Sequence, residues 1–335
     1  MLELINVSVK FASRYAVKDI NFFVSKGQIV GIIGRSGSGK TTVLRTISGF
    51  QKPASGIVKI DGIDVCKMEP GDRGVGYIFQ NYTLFPHMDI FHNIAFGLSV
   101  RRVEKNELKK RVENISRLLG IQQLLESYPH QISGGEQQRV AIARSLILNP
   151  KILLFDESFT NLDYNLKIEL LEQVRNINKR LGTTIIFVTH DQSDCFWLCD
   201  KIILIEDGRI VELNTTKSLI DSPNTIHAAK FTGIYQILEG NFRKELLSSN
   251  NKKMNKPKYY IRKNLFRLSR NSDDDLSISG KFLRSIPNGF YTTVRLLQNK
   301  KTIEFVTLEN VLFNIGDKIT LYFNQKDVLC LSDEK

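Results

Sequence analysis

The chain has 335 residues, enough for one large domain and a smaller one, and its 42% hydrophobic and 24% charged side chains are ordinary for a globular protein. No run approaches the ~18 consecutive apolar residues of a membrane span, and Met1-Leu2-Glu3-Leu4-Ile5 has neither the basic start nor the apolar stretch of a secretory signal. The net charge of +12 divides unevenly, with 29 basic and 24 acidic side chains in residues 1–235 against 18 and 11 in residues 236–335. No reading motif accompanies that basic excess, so a solvated face near a membrane surface is expected rather than a nucleic-acid grip. The four cysteines, Cys66, Cys195, Cys199 and Cys330, form no dense framework and fit a reducing cytosol. Cys195 and Cys199 share a helix face and read as buried thiols rather than as a metal pair.

Along the chain, residues 2–11 alternate apolar and polar side chains, as a half-buried strand does, and 20–24 is a second strand. The continuously apolar run 28–33 suits a strand covered on both faces. It leads into Gly34-Arg35-Ser36-Gly37-Ser38-Gly39-Lys40-Thr41 and then a helix over 40–48. Residues 90–147 read as helical. After them come a strand at 152–155, a helix at 166–180, a strand at 184–188, a helix at 191–198 and a strand at 202–205. Strands alternating with helices predict an α/β sheet with right-handed crossovers and an inserted helical subdomain. Near 235 the texture changes: 244–258 is a polar, basic loop. Short strands follow at 259–261, 276–282, 291–297, 302–306, 318–323 and 328–331, predicting a small all-β, OB-like barrel over 236–335.

The spacing Gly-x4-Gly-Lys-Thr at 34–41 has a physical purpose. Glycines let backbone N–H groups crowd phosphate oxygens while the next helix points its positive end at them. Lys40 is expected to reach the β- and γ-phosphates, Thr41 to offer a hydroxyl to Mg²⁺, and Thr42 lies beside them. The apolar strand 152–155 ends in Asp156, suited to hold Mg²⁺, and Glu157, suited to orient or deprotonate an attacking water. Ser133-Gly134-Gly135-Glu136 has capping-box spacing before a helix, and its two glycines expose N–H groups for a second anion site.

Ile132-Ser133-Gly134-Gly135-Glu136-Gln137-Gln138-Arg139 resembles the signature motif of ATP-binding cassette (ABC) proteins, at the family's distance from both phosphate-site motifs. The resemblance covers 1 to about 235 and implies the phosphate-loop NTPase fold of that cassette, with ATP and Mg²⁺ as cofactors. It further implies that Tyr15 stacks on adenine, that Gln80 links the Mg²⁺ site to a transmembrane partner, that Asp163 communicates across a dimer, and that His190 contacts the γ-phosphate. Ser158 stands where the family usually has proline, and Glu136 replaces the commoner glutamine. Residues 79–98 are similar to import ATPases carrying a C-terminal regulatory β-domain; Gly49-Phe50 and residues 158–163 lean toward the ferric-iron branch, with polyamine and sulfate import as alternatives. The layout implies permease subunits as partners, a solute-binding protein indirectly, a second copy of the chain, and a peripheral place on the cytoplasmic face of the inner (plasma) membrane. A non-transport ABC ATPase acting on nucleic acid usually carries two cassettes or long coiled coils; this chain has one cassette and neither feature. An exporter is disfavoured by the β-tail.

Overall fold

Alternating side chains open the chain as a pair of long strands. In the computed structural model, which describes residues 1–160, 162–238, 258–272, 275–309 and 312–331, β1 (Leu2–Phe11) buries Leu2, Leu4, Val7 and Val9 and pairs antiparallel with β2 (Arg14–Val24). The wholly buried β3 (Ile29–Ile33) runs into the glycine loop and α1 (Lys40–Ser48). Then come β4 (Ser55–Ile60), β5 (Ile63–Asp64) and β6 (Val75–Ile78). The inserted helices are α2 (Ile90–Val100), α3 (Lys105–Leu119) and α4 (Gly134–Leu146). The alternation resumes with β7 (Ile152–Asp156), α5 (Tyr164–Leu181), β8 (Thr184–Val188), α6 (Gln192–Leu198), β9 (Lys201–Glu206) and β10 (Arg209–Thr215).

The central sheet has the order β10-β9-β3-β8-β7-β6; all its pairs are parallel except β10 with β9. Apart from β10, its strands therefore end along one edge, and β3, β6, β7 and β8 each deliver a loop carrying candidate residues there, the usual ligand-binding side of an open α/β sheet. A second, antiparallel sheet runs β2-β1-β4-β5. The two sheets share one apolar core, in which Leu4, Val17 and Ile20 join Val30, Ile32, Val43, Ile47, Leu154 and Val188. Burial of each such side chain contributes on the order of 1.5–3 kcal/mol. A Cβ on Gly31 of β3 would stand 2.6 Å from Cys195 Sγ and 2.9 Å from Cys199 Sγ. Both thiols are buried and free, and burial pushes that of Cys195 up, as for packing groups rather than reactive ones.

The chain divides by compactness into Met1–Thr216 and Lys217–Lys335. The second unit takes in α7 (Thr216–Asp221, starting one residue earlier) and α8 (Ile226–Thr232) as well as the β region, because Ile226 and Ala229 pack with Tyr235, Tyr260 and Leu331. Its strands are β11 (Tyr235–Leu238), β12 (Lys258–Arg262), β13 (Asp275–Pro287), β14 (Thr292–Gln298), β15 (Lys301–Thr307), β16 (Lys318–Asn324) and β17 (Leu329–Leu331). They form two antiparallel sheets, β11-β12-β17 and β15-β14-β13-β16, around Ile261, Phe266, Val294, Leu296, Phe305, Leu321 and Phe323, giving a β-rich, OB-like unit. The expected basic loop lies, up to residue 257, outside the described residues, as does Asn161. No helix among the described residues is long and apolar enough to cross a membrane.

Candidate nucleotide site

The glycine loop is shaped by close backbone approach. At Gly34 a Cβ would stand 2.1 Å from the Ile205 carbonyl oxygen. Gly39, in the left-handed region at φ 103°, would bring one 2.5 Å from Val17 Cγ1. Neither position admits a side chain. The loop is closed by Ser38 N–H donating to Arg35 O (3.1 Å), and Gly208 N–H donates to Ser38 O (3.1 Å).

Lys40, buried at the start of α1, donates to the carbonyl oxygens of Gly34 and Arg35 at 3.1 Å each, and its Nζ lies 3.6 Å from Glu157 Oε1. Thr41 Oγ1 donates to Asp156 Oδ1 (2.9 Å), and Tyr77 OH donates to Asp156 Oδ2 (2.7 Å). Burial, then the Asp156 carboxylate, pushes the Tyr77 phenol far up, so it remains a donor across the physiological range. Glu157 stands just past β7 with φ 47°, and its N–H donates to Val188 O (3.0 Å). A non-glycine residue held in that region costs on the order of 1–3 kcal/mol and persists only where its surroundings over-determine it. Those surroundings are Val188, the Thr160 hydroxyl donating to Glu157 O (3.0 Å), and the buried Phe159 ring between Phe155 and Phe187. His190 Nδ1 lies 3.6 Å from Glu157 Oε2. Residues from four segments thus meet within a few ångströms of one another.

The other expected residues are distributed around this centre. Tyr15, with Arg14, Arg35, Ser36, Gly37, Ser38 and Asp207, lines an open groove of about 760 Å³. The ammonium groups of Lys10 and Lys18 lie 5.5 and 5.4 Å from the Tyr15 ring centroid. Thr42 O accepts from Thr46 Oγ1 inside α1 (2.8 Å). Gln80 is exposed two residues beyond β6, at the same sheet edge as Asp156. Ser133 caps α4 in a full capping box: Glu136 N–H donates to Ser133 Oγ, while Glu136 Oε2 accepts from Ser133 N–H (2.9 Å) and Oγ (2.8 Å). These donors hold the Glu136 carboxyl below its usual range. Gly135 is pressed against Leu166, where a Cβ would stand 2.6 Å from Cδ2, while Gly134 is exposed. Asp163 caps α5 by accepting from Leu166 N–H (3.0 Å). Among the described residues no hydrogen bond or ion pair joins 133–136 to 34–41.

Three residues, Tyr77, Lys10 and Lys18, escaped the sequence reading. Tyr77, the second partner of Asp156, points from an unrecognised strand. Lys10 and Lys18 flank Tyr15 from β1 and β2. Ser158 keeps its hydroxyl buried with no hydrogen-bond partner among the described residues, so at this position a polar atom is desolvated where the family usually has an apolar ring.

A glycine loop feeding a helix, a strand-end Asp-Glu pair and a capped glycine helix start, all set around a parallel sheet, define a phosphate-loop ATPase cassette. The family model described as ABC transporter matches residues 17–160. A "Probable sulfate/thiosulfate import ATP-binding protein" of Chlorella vulgaris is 39% identical over 229 residues, 68% of this chain and 97% of the relative. An "Fe(3+) ions import ATP-binding protein" of Vibrio cholerae is 39% identical over 237 residues, 71% and 68% of the two chains. A solved dimeric ATP-binding cassette in a post-hydrolysis state bound to ADP and Pi superposes with a TM-score of 0.59 at 31% identity, covering 64% of this chain and 99% of that one. The chain belongs to the ABC transporter family as an ATP-binding subunit that hydrolyses ATP.

Proposed function

We propose that this subunit powers an import complex, coupling ATP-driven closure of a dimer to uptake of a small solute. The observation that carries the reading is the convergence of Lys40, Thr41, Asp156, Glu157 and His190 at one sheet edge. Phosphoryl transfer needs mainly positioning and charge neutralisation, and these side chains offer both. Lys40, now donating to its own loop's carbonyl oxygens, would exchange them for β- and γ-phosphate oxygens. Backbone N–H groups of 34–41 and the start of α1 cradle the same phosphates, with Tyr15 taking the adenine face in the adjoining groove. Glu157 orients and accepts a proton from the attacking water, and His190 meets the γ-phosphate from the other side.

The donor set suits Mg²⁺: a hydroxyl and a carboxylate are hard oxygen ligands, and the described residues hold no cluster of three His, Cys, Asp or Glu that would make an all-protein cage. Thr41, Asp156 and Gln80 would hold it alongside the phosphates, where the ion supplies charge neutralisation.

Because no hydrogen bond or ion pair joins 133–136 to 34–41 among the described residues, we assign 133–136 to the ATP held by a second copy, with Asp163 signalling across the pair; a two-fold arrangement makes both sites equivalent. Gln80 and the helices of 90–130 pass closure to separate permease subunits, and we infer a peripheral position on the cytoplasmic face of the inner (plasma) membrane. A solute-binding protein is reached only through those permeases. Ferric iron is the favoured cargo, with polyamines and sulfate as alternatives. The test is co-purification with the membrane subunits followed by ATPase measurement with each solute. Stimulation by ferric iron alone supports the iron reading; stimulation only by spermidine or sulfate overturns it.

A further inference from the structure

Residues 79–89, between β6 and α2, carry Gln80 at one end and are pinned from two sides. Asn93 of α2, fully buried, holds the far end: its Oδ1 accepts from Phe85 N–H (2.8 Å) and its Nδ2 donates to the carbonyl oxygens of Phe85, Met88 and Asp89 (3.0 Å each). The near end is held by Arg144, in the last turn of α4. Its Nη1 donates to Thr83 O (2.9 Å), and its Nη2 donates to Tyr82 O (3.1 Å) and Thr83 Oγ1 (3.2 Å). The guanidinium also sits 5.3 Å from the Phe85 ring centroid, and that ring packs 4.6 Å from Phe96 of α2.

What Arg144 holds is unusual backbone. Tyr82 and Thr83 both have positive φ (56° and 49°), two consecutive left-handed residues that carry a Cβ. That conformation crowds Cβ against the following carbonyl and is not kept without external donors or packing. Two of the guanidinium's bonds go to main-chain carbonyl oxygens, so the hold does not depend on which side chains occupy 82 and 83. The planar fork can span both carbonyls, which a single ammonium cannot do in the same geometry. Arg144 is also one end of a rigid rod whose other end is the Ser133 cap.

We propose that Arg144 is a positioning residue for ATP hydrolysis: it clamps the left-handed pair at 82–83, fixes where Gln80 stands at the sheet edge that also carries Asp156, and ties that position to the helix beginning at Ser133. The proposal rests on the role given to Gln80 above.

The test uses the full chain with Arg144→Leu, Arg144→Gln, Arg144→Lys, Gln80→Ala and the Arg144→Leu/Gln80→Ala double variant. Amide exchange at 82–85 is expected to quicken by about tenfold or more in Arg144→Leu. Its kcat should fall about 10- to 100-fold while KM for ATP stays within about twofold, because 34–41 is untouched. Arg144→Lys should recover part of kcat, and the double variant should lie within about twofold of the worse single one, since both lesions act through one position. Should Arg144→Leu not fold, Arg144→Gln is read the same way. Unchanged exchange at 82–85 overturns the clamp. Losses that multiply in the double variant, or a fall in ATP affinity with kcat intact, overturn the positioning role. Wild-type turnover in Gln80→Ala refutes the role of Gln80 itself, a failure told apart from loss of the clamp because exchange reads the clamp alone.

Discussion

At the scale of single residues, the site is a set of side chains held ready by bonds that a nucleotide would replace. Lys40 is buried and satisfied by two carbonyl oxygens of its own loop; removing its ammonium takes a cation from the loop and its bonds from those oxygens. Lys40→Ala should therefore weaken ATP binding by about 10- to 100-fold, the worth of one or two hydrogen bonds to charged phosphate oxygens, readable by titration with a fluorescent nucleotide. Unchanged affinity would remove Lys40 from the cradle. The convergence of Lys40, Thr41, Asp156 and Glu157 was legible from spacing alone, because a glycine loop after a buried strand and an acidic pair at a strand end leave local marks. Tyr77–Asp156 and Arg144 with 82–83 join positions 79 and 61 or more residues apart. Periodicity carries no information about contacts at that range. The left-handed φ of Glu157 was equally invisible, since glutamate carries no preference for it.

Among the elements, the best-read ones share a cause. β3, β7 and β8 are buried on both faces and so appear as unbroken apolar runs. α1 and β8 begin and end where the sequence placed them. β6 was missed because Gly76 interrupts it, yet a Cβ there would stand 2.9 Å from Leu153 Cδ1, so the glycine that reads as a breaker is demanded by packing. β10 is an edge strand with a register shift between Ile210 and Glu212, which blurs its alternation. In the C-terminal unit Glu304 of β15 accepts from Lys263 Nζ (2.6 Å) and Arg295 Nε (2.7 Å), joining β14 and β15 to the turn after β12. Burial alone would raise the Glu304 pKa, but the two cations outweigh it and hold the carboxyl below its usual range. Its stabilising effect is therefore present above the unfolded value of about 4.3 and is lost as pH falls through the lower folded value. Thermal melts of the wild type should steepen their decline below about pH 4, and Glu304→Gln should show a flatter decline from a lower starting point. Parallel curves would mean that the ion pairs contribute nothing.

For the whole molecule, the proposed assembly turns on the two glycine-bearing segments 34–41 and 133–136. Residues 34–41 sit at the sheet edge with Asp156 and Glu157, while 133–136 begin α4 with no bond to them. A capping box alone could be an ordinary helix start; the shared site proposed above, in line with the dimeric solved cassette bound to ADP and Pi, makes it a wall of the other protomer's site. The most direct test is sedimentation of Glu157→Gln with and without Mg²⁺-ATP, alongside its turnover. Keeping Lys40, Thr41 and Asp156, this variant should bind ATP, double its mass when ATP is present, and hydrolyse at least about 100-fold more slowly than the wild type, the usual order of a lost general base. A chain that binds ATP yet stays at monomer mass, or that hydrolyses it at the wild-type rate, would contradict the shared site.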